Sequence, residues 1–182
     1  MTTLSLRPAA PDDIPAITRI YAEAVQHGTA SFELDPPDEA EMARRQQALF
    51  DGGFPYFVAE IDGHVIGYAY AGPYRARPAY RFTVEDSIYI DPAAQGRGVG
   101  RALLARLIEE ATRRGFRQMI AVIGDSAHQP SIALHRAAGF RMVGNFENVG
   151  YKFERWLDSV LMQRPLGDGA RTKPAERTAP RT

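Results

Sequence analysis

The chain has 182 residues, 45% of them hydrophobic, with 22 Lys+Arg against 22 Asp+Glu and no cysteine. That length fits one compact domain with a real core, the balanced charge argues against a nucleic-acid partner, which calls for a basic excess, and the missing thiols exclude disulfides, a cysteine nucleophile and thiolate metal sites. The N-terminus lacks a basic region followed by an apolar run and no stretch approaches a membrane span, so a protein of the cytoplasm with no membrane partner is expected.

In chain order, residues 4–7 alternate apolar and polar and predict a short strand. Pro11, Asp12 and Asp13 supply helix-start chemistry, and Ile14, Ile17, Tyr21, Ala24 and Val25 then share one helical face. Pro36 and Pro37 open a second, less periodic helix running to about residue 49. Strands are predicted over 56–61 and 65–70, joined by Asp62-Gly63, a pair suited to the left-handed residues of a type I′ hairpin turn. A long strand follows over 81–90. Ala102, Leu103, Leu107, Ile108 and Ala111 mark a helix that Gly115 can close. A buried strand over 119–123 precedes a helix over 131–138, framed by Pro130 and Gly139. Strands over 140–146 and 152–162 complete an α/β chain of order β-α-α-β-β-β-α-β-α-β-β, without internal repeat. Residues 1–166 form the domain. Residues 167–182 are polar, punctuated by Pro and Gly and without large side chains, and read as a disordered tail. The spread charges of Arg171, Lys173, Arg177 and Arg181 make only a weak basic patch there.

The densest signal is Gln95-Gly96-Arg97-Gly98-Val99-Gly100-Arg101, between a strand and a helix. A Walker loop would need Gly-Lys-Ser/Thr, which is absent. A dinucleotide fingerprint would need a third glycine where Arg101 stands, and its strand would open a βαβ unit rather than follow a hairpin. Two readings remain. Main-chain N–H groups at a helix start can cradle a pyrophosphate when no Cβ blocks the approach, with Arg97 and Arg101 adding charge. Otherwise the glycines form a tight turn without a ligand.

Together with Val84-Glu85-Asp86-Ser87, Leu134-His135 and Gly139-Phe140, this loop resembles the GCN5-related N-acetyltransferase (GNAT) superfamily, from residue 4 to about 165. The resemblance is strongest to the phosphinothricin and methionine sulfoximine acetyltransferase branch, through "YAGPYRARPAYRFTVEDSIYI", "AVIGDSAHQPSIALHRAAGF" and "VGYKFERWLDSVLMQ". It implies a central mixed, mostly antiparallel and splayed sheet of about seven strands flanked by about four helices. It implies acetyl-CoA as co-substrate, with the pyrophosphate on residues 95–101 and the pantetheine arm along Ile88, Tyr89 and Ile90. Ser131 and His128 would also touch the coenzyme, although relatives commonly carry asparagine where His128 stands. A homodimer is implied as well.

Glu85 is the candidate general base, since an ammonium must lose a proton before it can attack a thioester. Period two puts Glu85, Ser87 and Tyr89 on one face of the strand and Val84, Asp86, Ile88 and Ile90 on the other; the family usually has a bulge nearby that would shift this. Asp86 is the competing carboxylate and reads as structural. His135 either assists departure of the thiolate or packs as a satisfied helix histidine. Arg75, Arg77 and Tyr80 are expected to line a pocket for an anionic amino acid, with Phe32 and Gly124 nearby; taken alone, the interleaved arginines and aromatics of 74–82 would also suit single-stranded nucleic acid, which the neutral chain disfavours. Lys152 and Trp156 read either as further pocket residues or as packing and surface pairing. The four histidines lack metal-ligand spacing, so no metal is expected. The mechanism expected is direct transfer in a ternary complex, with a main-chain N–H near Tyr89 or Ile90 facing the oxyanion. Acetylation of protein N-termini or lysines, and non-catalytic acyl-CoA binding, are the competing functions.

Overall fold

The computed structural model describes residues 3–176. Seven strands, β1 (Leu4–Pro8), β2 (Tyr56–Ile61), β3 (His64–Pro73), β4 (Thr83–Ile90), β5 (Gln118–Gly124), β6 (Arg141–Lys152) and β7 (Arg155–Pro165), lie in one sheet of order β1-β2-β3-β4-β5-β7-β6. Four helices, α1 (Ile14–His27), α2 (Glu39–Asp51), α3 (Val99–Arg113) and α4 (Gln129–Ala137), complete the order read from the sequence. Every neighbouring pair is antiparallel except β4–β5, which is parallel and is joined through α3.

The sheet buries both faces. On one, Leu103, Leu104, Leu107 and Ala111 of α3 pack against Val84, Met119 and Ala121. On the other, Ile17, Ile20, Tyr21 and Val25 of α1 meet Val58, Tyr56 and Tyr68. The spacing of these apolar residues explains both helices, because each stripe recurs every three or four positions and needs a sheet to cover it. Ile20, absent from the expected stripe, is 1% exposed; the buried arc extends beyond the five positions expected to define it.

Local chemistry sets most boundaries. Asp62 and Gly63 have φ of 51° and 78°, as a type I′ turn requires. Gly115 and Gly139 take φ of 83° and 85° just past α3 and α4. Other boundaries differ from the expectation. α2 starts at Glu39 rather than at the prolines, because the Asp38 carboxylate accepts the Glu41 N–H at 2.8 Å and caps the helix there. β4 starts at Thr83, since Pro78–Tyr80 form a 3₁₀ turn. β6 continues to Lys152, six residues beyond the expected end. Asn148, at φ 55°, absorbs an irregularity in the β6–β7 ladder, and Asp158 accepts its N–H at 3.0 Å. The following hairpin turns on Phe153 and Glu154, both left-handed at φ 53° and 57°, with neither glycine nor asparagine to announce it.

Beyond β7, Leu166 is buried, and Arg117 donates to the carbonyls of Gly169 and Lys173 and to the Thr172 hydroxyl. The end of the expected disordered tail, 177–182, lies outside the described residues.

Candidate active site

The parallel pairing of β4 and β5 runs only from Thr83↔Gln118 to Asp86↔Ala121. Past that point β4 stays on β3 as far as Ile90↔Gly67, while β5 stays on β7 as far as Gly124↔Ser159. The two strands part, and a cleft of about 920 Å³ opens between them. Its walls include Ile88, Tyr89 and Ile90 on one side and Val122, Ile123 and Gly124 on the other. Along the parted edge of β4, alternate N–H and C=O groups have lost their strand partner. A chain carrying its own amides can pair there as an added strand does.

The glycine loop closes one end. Asp91 anchors its start, accepting the Ala93 N–H at 3.0 Å and pairing with Arg19 of α1 at 2.6 Å. Gly96 and Gly98 take φ of 72° and 80°, and a Cβ on either would point into open space. The loop is thus left-handed and bare on its outer side. Val99 is buried and locks the start of α3 into the core, with Gly98 as N-cap. The first-turn N–H groups of α3 have no partner within the helix and favour an anion. Gln95, Gly96, Gly98, Val99, Gly100 and Arg101 line the cleft. Arg97 does not; it is exposed on the outside of the loop.

His128 caps α4, its Nδ1 accepting the Ser131 N–H at 3.3 Å, and both residues line the cleft. One turn on, His135 is 4% exposed. Its Nδ1 lies 2.7 Å from the Ser131 carbonyl and its Nε2 2.9 Å from Asp86 Oδ2. Burial pulls the histidine pKa down, but the Asp86 hydrogen bond and charge, with the Ser131 carbonyl, outweigh it and hold the pKa above the ordinary value. The other Asp86 oxygen is buried without a hydrogen-bond partner. Asp86 therefore orients a histidine at the foot of the cleft and favours its protonated form.

Glu85 points the other way. β4 pairs with β3 without a register shift, so the expected bulge is not in this pair and strict alternation holds. Glu85 is the last β4 residue but one to pair with β5, opposite Ile120. It does not line the cleft, which Asp86 does. Burial, reinforced by the Asp86 charge and opposed by Arg75, pushes its pKa up to about 7. A carboxyl with that value exchanges a proton readily near neutrality. Arg75 and Arg77 are exposed in the segment before β4; the Arg75 guanidinium lies 5.2 Å from the Tyr74 ring centre, and Tyr74 packs edge-on against Tyr80. Phe32 lies on the bare backbone of Gly124 and Gly150, where a Cβ would meet its ring. Phe32, Arg75, Arg77 and Tyr80 lie outside the lining of the cleft. Among the described residues no cluster of three or more His, Asp or Glu could hold a metal ion, and no helix is long and apolar enough to cross a membrane.

A parted parallel strand pair, an amide edge, a bare glycine turn and a helix start form a site for a long anionic ligand that bears amides. Comparison with known proteins agrees. The pattern of the acetyltransferase (GNAT) family matches residues 16–140. The chain belongs to that family. Phosphinothricin N-acetyltransferase of Alcaligenes faecalis is 56% identical over 163 residues, covering 90% of this chain and 83% of that one. The L-methionine sulfoximine/L-methionine sulfone acetyltransferase of Salmonella typhimurium is 41% identical over 170 residues, covering 92% and 97%. The crystal structure of a phosphinothricin acetyltransferase from Sinorhizobium meliloti in complex with acetyl-CoA superposes with a TM-score of 0.94 at 54% identity, covering 98% and 96%.

The GNAT fold of this chain also recruits residues that sequence reasoning missed. Glu23, Ala24 and His27 of α1, and Gly28, Thr29 and Ala30 after it, line the cleft. No motif marks them. They reach it because the chain leaving α1 passes over the end of β5, so closely that a Cβ at Gly124 would collide with the Thr29 carbonyl.

Proposed function

We propose that this GNAT-family acetyltransferase moves the acetyl group of acetyl-CoA to the amino group of a small anionic amino acid of the phosphinothricin or methionine sulfoximine type, by direct transfer in a ternary complex. The observation that carries this reading is the position of Glu85 where β4 and β5 part, on the face opposite the cleft and within electrostatic reach of Arg75. Acetyl-CoA fits the cleft side: pantetheine amides against Ile88–Ile90, pyrophosphate against Gly96, Gly98 and the α3 N-terminus. The acceptor enters from the other face, its anionic groups toward Arg75, Arg77 and Tyr80 and its ammonium toward Glu85. Glu85 takes the ammonium proton, the amine attacks the thioester carbonyl, and as the C–S bond breaks the second amine proton passes to the departing thiolate, releasing coenzyme A. A main-chain N–H near Tyr89 or Ile90 faces the oxygen that gains charge, a contribution on the order of 3 kcal/mol for one preorganised donor. His135 is assigned to orientation at the thiol end, because both its ring nitrogens are already engaged.

The relatives' substrates and the arginines before β4 support the acceptor class. The proposed assembly is a homodimer, supported by β6, an edge strand, which exposes Met142, Val143, Phe146, Val149 and Tyr151 to solvent. The proposed location is the cytoplasm, where acetyl-CoA is supplied; neither nucleic acid nor membrane has a part in the reaction. Thiol release measured with methionine sulfoximine, phosphinothricin, spermidine and an N-terminal peptide tests the reading. The two anionic amino acids should give the highest kcat/KM. A preference for spermidine or the peptide would overturn the acceptor assignment.

A further inference from the structure

Lys152 ends β6 and is 4% exposed, an unusual place for an ammonium. No ion pair among the described residues includes it. Its Nζ donates instead to two main-chain carbonyls, Gly28 at 3.0 Å and Ser31 at 2.8 Å, and lies 5.1 Å from the Phe153 ring centre. Burial pulls its pKa below the ordinary lysine value, against the more distant charge of Glu33. A buried cation held by carbonyl dipoles without a paired carboxylate is expensive, and an apolar side chain would fill the space at less cost. The two carbonyls it holds bracket the turn that leaves α1. Gly28, Thr29 and Ala30 of that turn form a wall of the cleft, and Phe32, just after Ser31, lies on Gly124 and Gly150. The turn has no helix or strand of its own. Beyond Lys152 it is tied by Ser31 Oγ, which meets the Tyr21 hydroxyl at 2.9 Å and accepts the Glu33 N–H at 3.2 Å, and by the Arg45–Glu33 pair at 2.6 Å.

We propose that Lys152 is a positioning residue for acetyl transfer: by drawing the Gly28 and Ser31 carbonyls inward it holds the α1–α2 turn as the roof of the site and seats Phe32 over the end of β5. The assignment rests on the acetyltransferase reading above and adds to it a residue that touches neither acetyl-CoA nor acceptor. Charge and three donors on one nitrogen are what the position needs, since a methionine of similar length would leave the buried Ser31 carbonyl and the half-buried Gly28 carbonyl without this donor.

Lys152→Met should raise KM for the amino-acid acceptor about tenfold or more and lower kcat. Lys152→Arg, which keeps the charge and the donors, should recover part of the loss. Phe32→Ala should show a similar KM defect, and Lys152→Met added to Phe32→Ala should cost little more, because both act through the same turn. Hydrogen exchange gives a readout independent of catalysis: Lys152→Met should speed exchange of the amides of residues 28–33 while those of β4 and α3 keep their protection. Kinetic constants within twofold of wild type, unchanged exchange in the turn, or faster exchange throughout the sheet would overturn the proposal. If Lys152→Met does not fold, full additivity of Lys152→Arg with Phe32→Ala would overturn it equally. Failure of the wild type to acetylate any amine would sink the acetyltransferase reading alone, leaving the exchange result to judge Lys152.

Discussion

His135 Nε2 stands 2.9 Å from Asp86 Oδ2 with both side chains buried, so the histidine of α4 is tied to β4 where it parts from β5. The Ser131 carbonyl can only accept, so Nδ1 must carry a proton toward it. An imidazolium donating from both nitrogens to a carbonyl and a carboxylate satisfies the geometry.

Asp86→Asn should therefore be destabilising, by about 3–5 kcal/mol for a broken buried pair. The sign of the pH dependence follows from the raised histidine pKa. The stability the pair supplies is complete below the unfolded value of about 6.5 and is lost as pH rises through the higher folded value. Urea unfolding from pH 5 to 9 should show the gap between wild type and variant narrowing at the alkaline end. A constant gap would mean that His135 does not carry the charge.

Glu85→Gln should retain acetyl-CoA affinity and lose about 10²–10⁴-fold in turnover, the range for a lost general base. With the Glu85 pKa at about 7, wild-type kcat/KM should rise through neutrality. The variant should lack that inflection, and its deficit should shrink at high pH as free amine accumulates. Stability adds a second check. A carboxyl raised from 4.5 to about 7 favours the folded state when protonated, so that contribution is complete below 4.5 and disappears as pH passes 7. The variant should thus gain on wild type in thermal unfolding between pH 5 and 8.

Gly98→Val should abolish measurable acetyl-CoA binding in calorimetry. A β-branched residue at φ 80° strains the loop and puts methyl groups where the phosphates approach. Gly100→Val is expected to weaken binding as well but less severely. Gly100 sits in the first turn of α3, outside the left-handed region, and its Cβ would meet only the tip of Leu134 at 3.4 Å. Unchanged affinity in both variants would reduce the loop to a tight turn.

Arg75 and Arg77 should separate in their effects. Arg77→Ala is expected to raise KM for methionine sulfoximine with acetyl-CoA binding intact, by about 10–100-fold for a charge-assisted hydrogen bond worth ~1.5–3 kcal/mol. Arg75→Ala should also move the kcat/KM inflection to higher pH, because the Arg75 charge lowers the Glu85 pKa. Equal activity of Arg77→Ala on the sulfoximine would remove the anionic pocket from the mechanism.

Sequence by itself determined the element order, the Asp62-Gly63 hairpin, the glycine turn before α3 and the alternation that separates Glu85 from Asp86. Each depends on chemistry within a few residues: left-handed φ, helix capping, period two or period 3.6. It did not determine what those elements face. That β4 and β5 separate after Asp86↔Ala121 is decided by their other neighbours, β3 and β7, which hold the two strands to different halves of the sheet. The cleft wall from Gly28 to Ala30 and the burial of Lys152 arise because an unremarkable turn crosses the end of β5 and meets Lys152, more than a hundred residues further along the sequence. The hairpin at Phe153 and Glu154 forms on residues that do not favour it, because the β6–β7 ladder on either side sets where the chain must reverse. From sequence His135 reads as an acid or as packing, and only the fold sets its two ring nitrogens against Asp86 and the Ser131 carbonyl. Tertiary structure decided these points because long-range contacts, not local preference, determine which polar groups are desolvated and which partners they find.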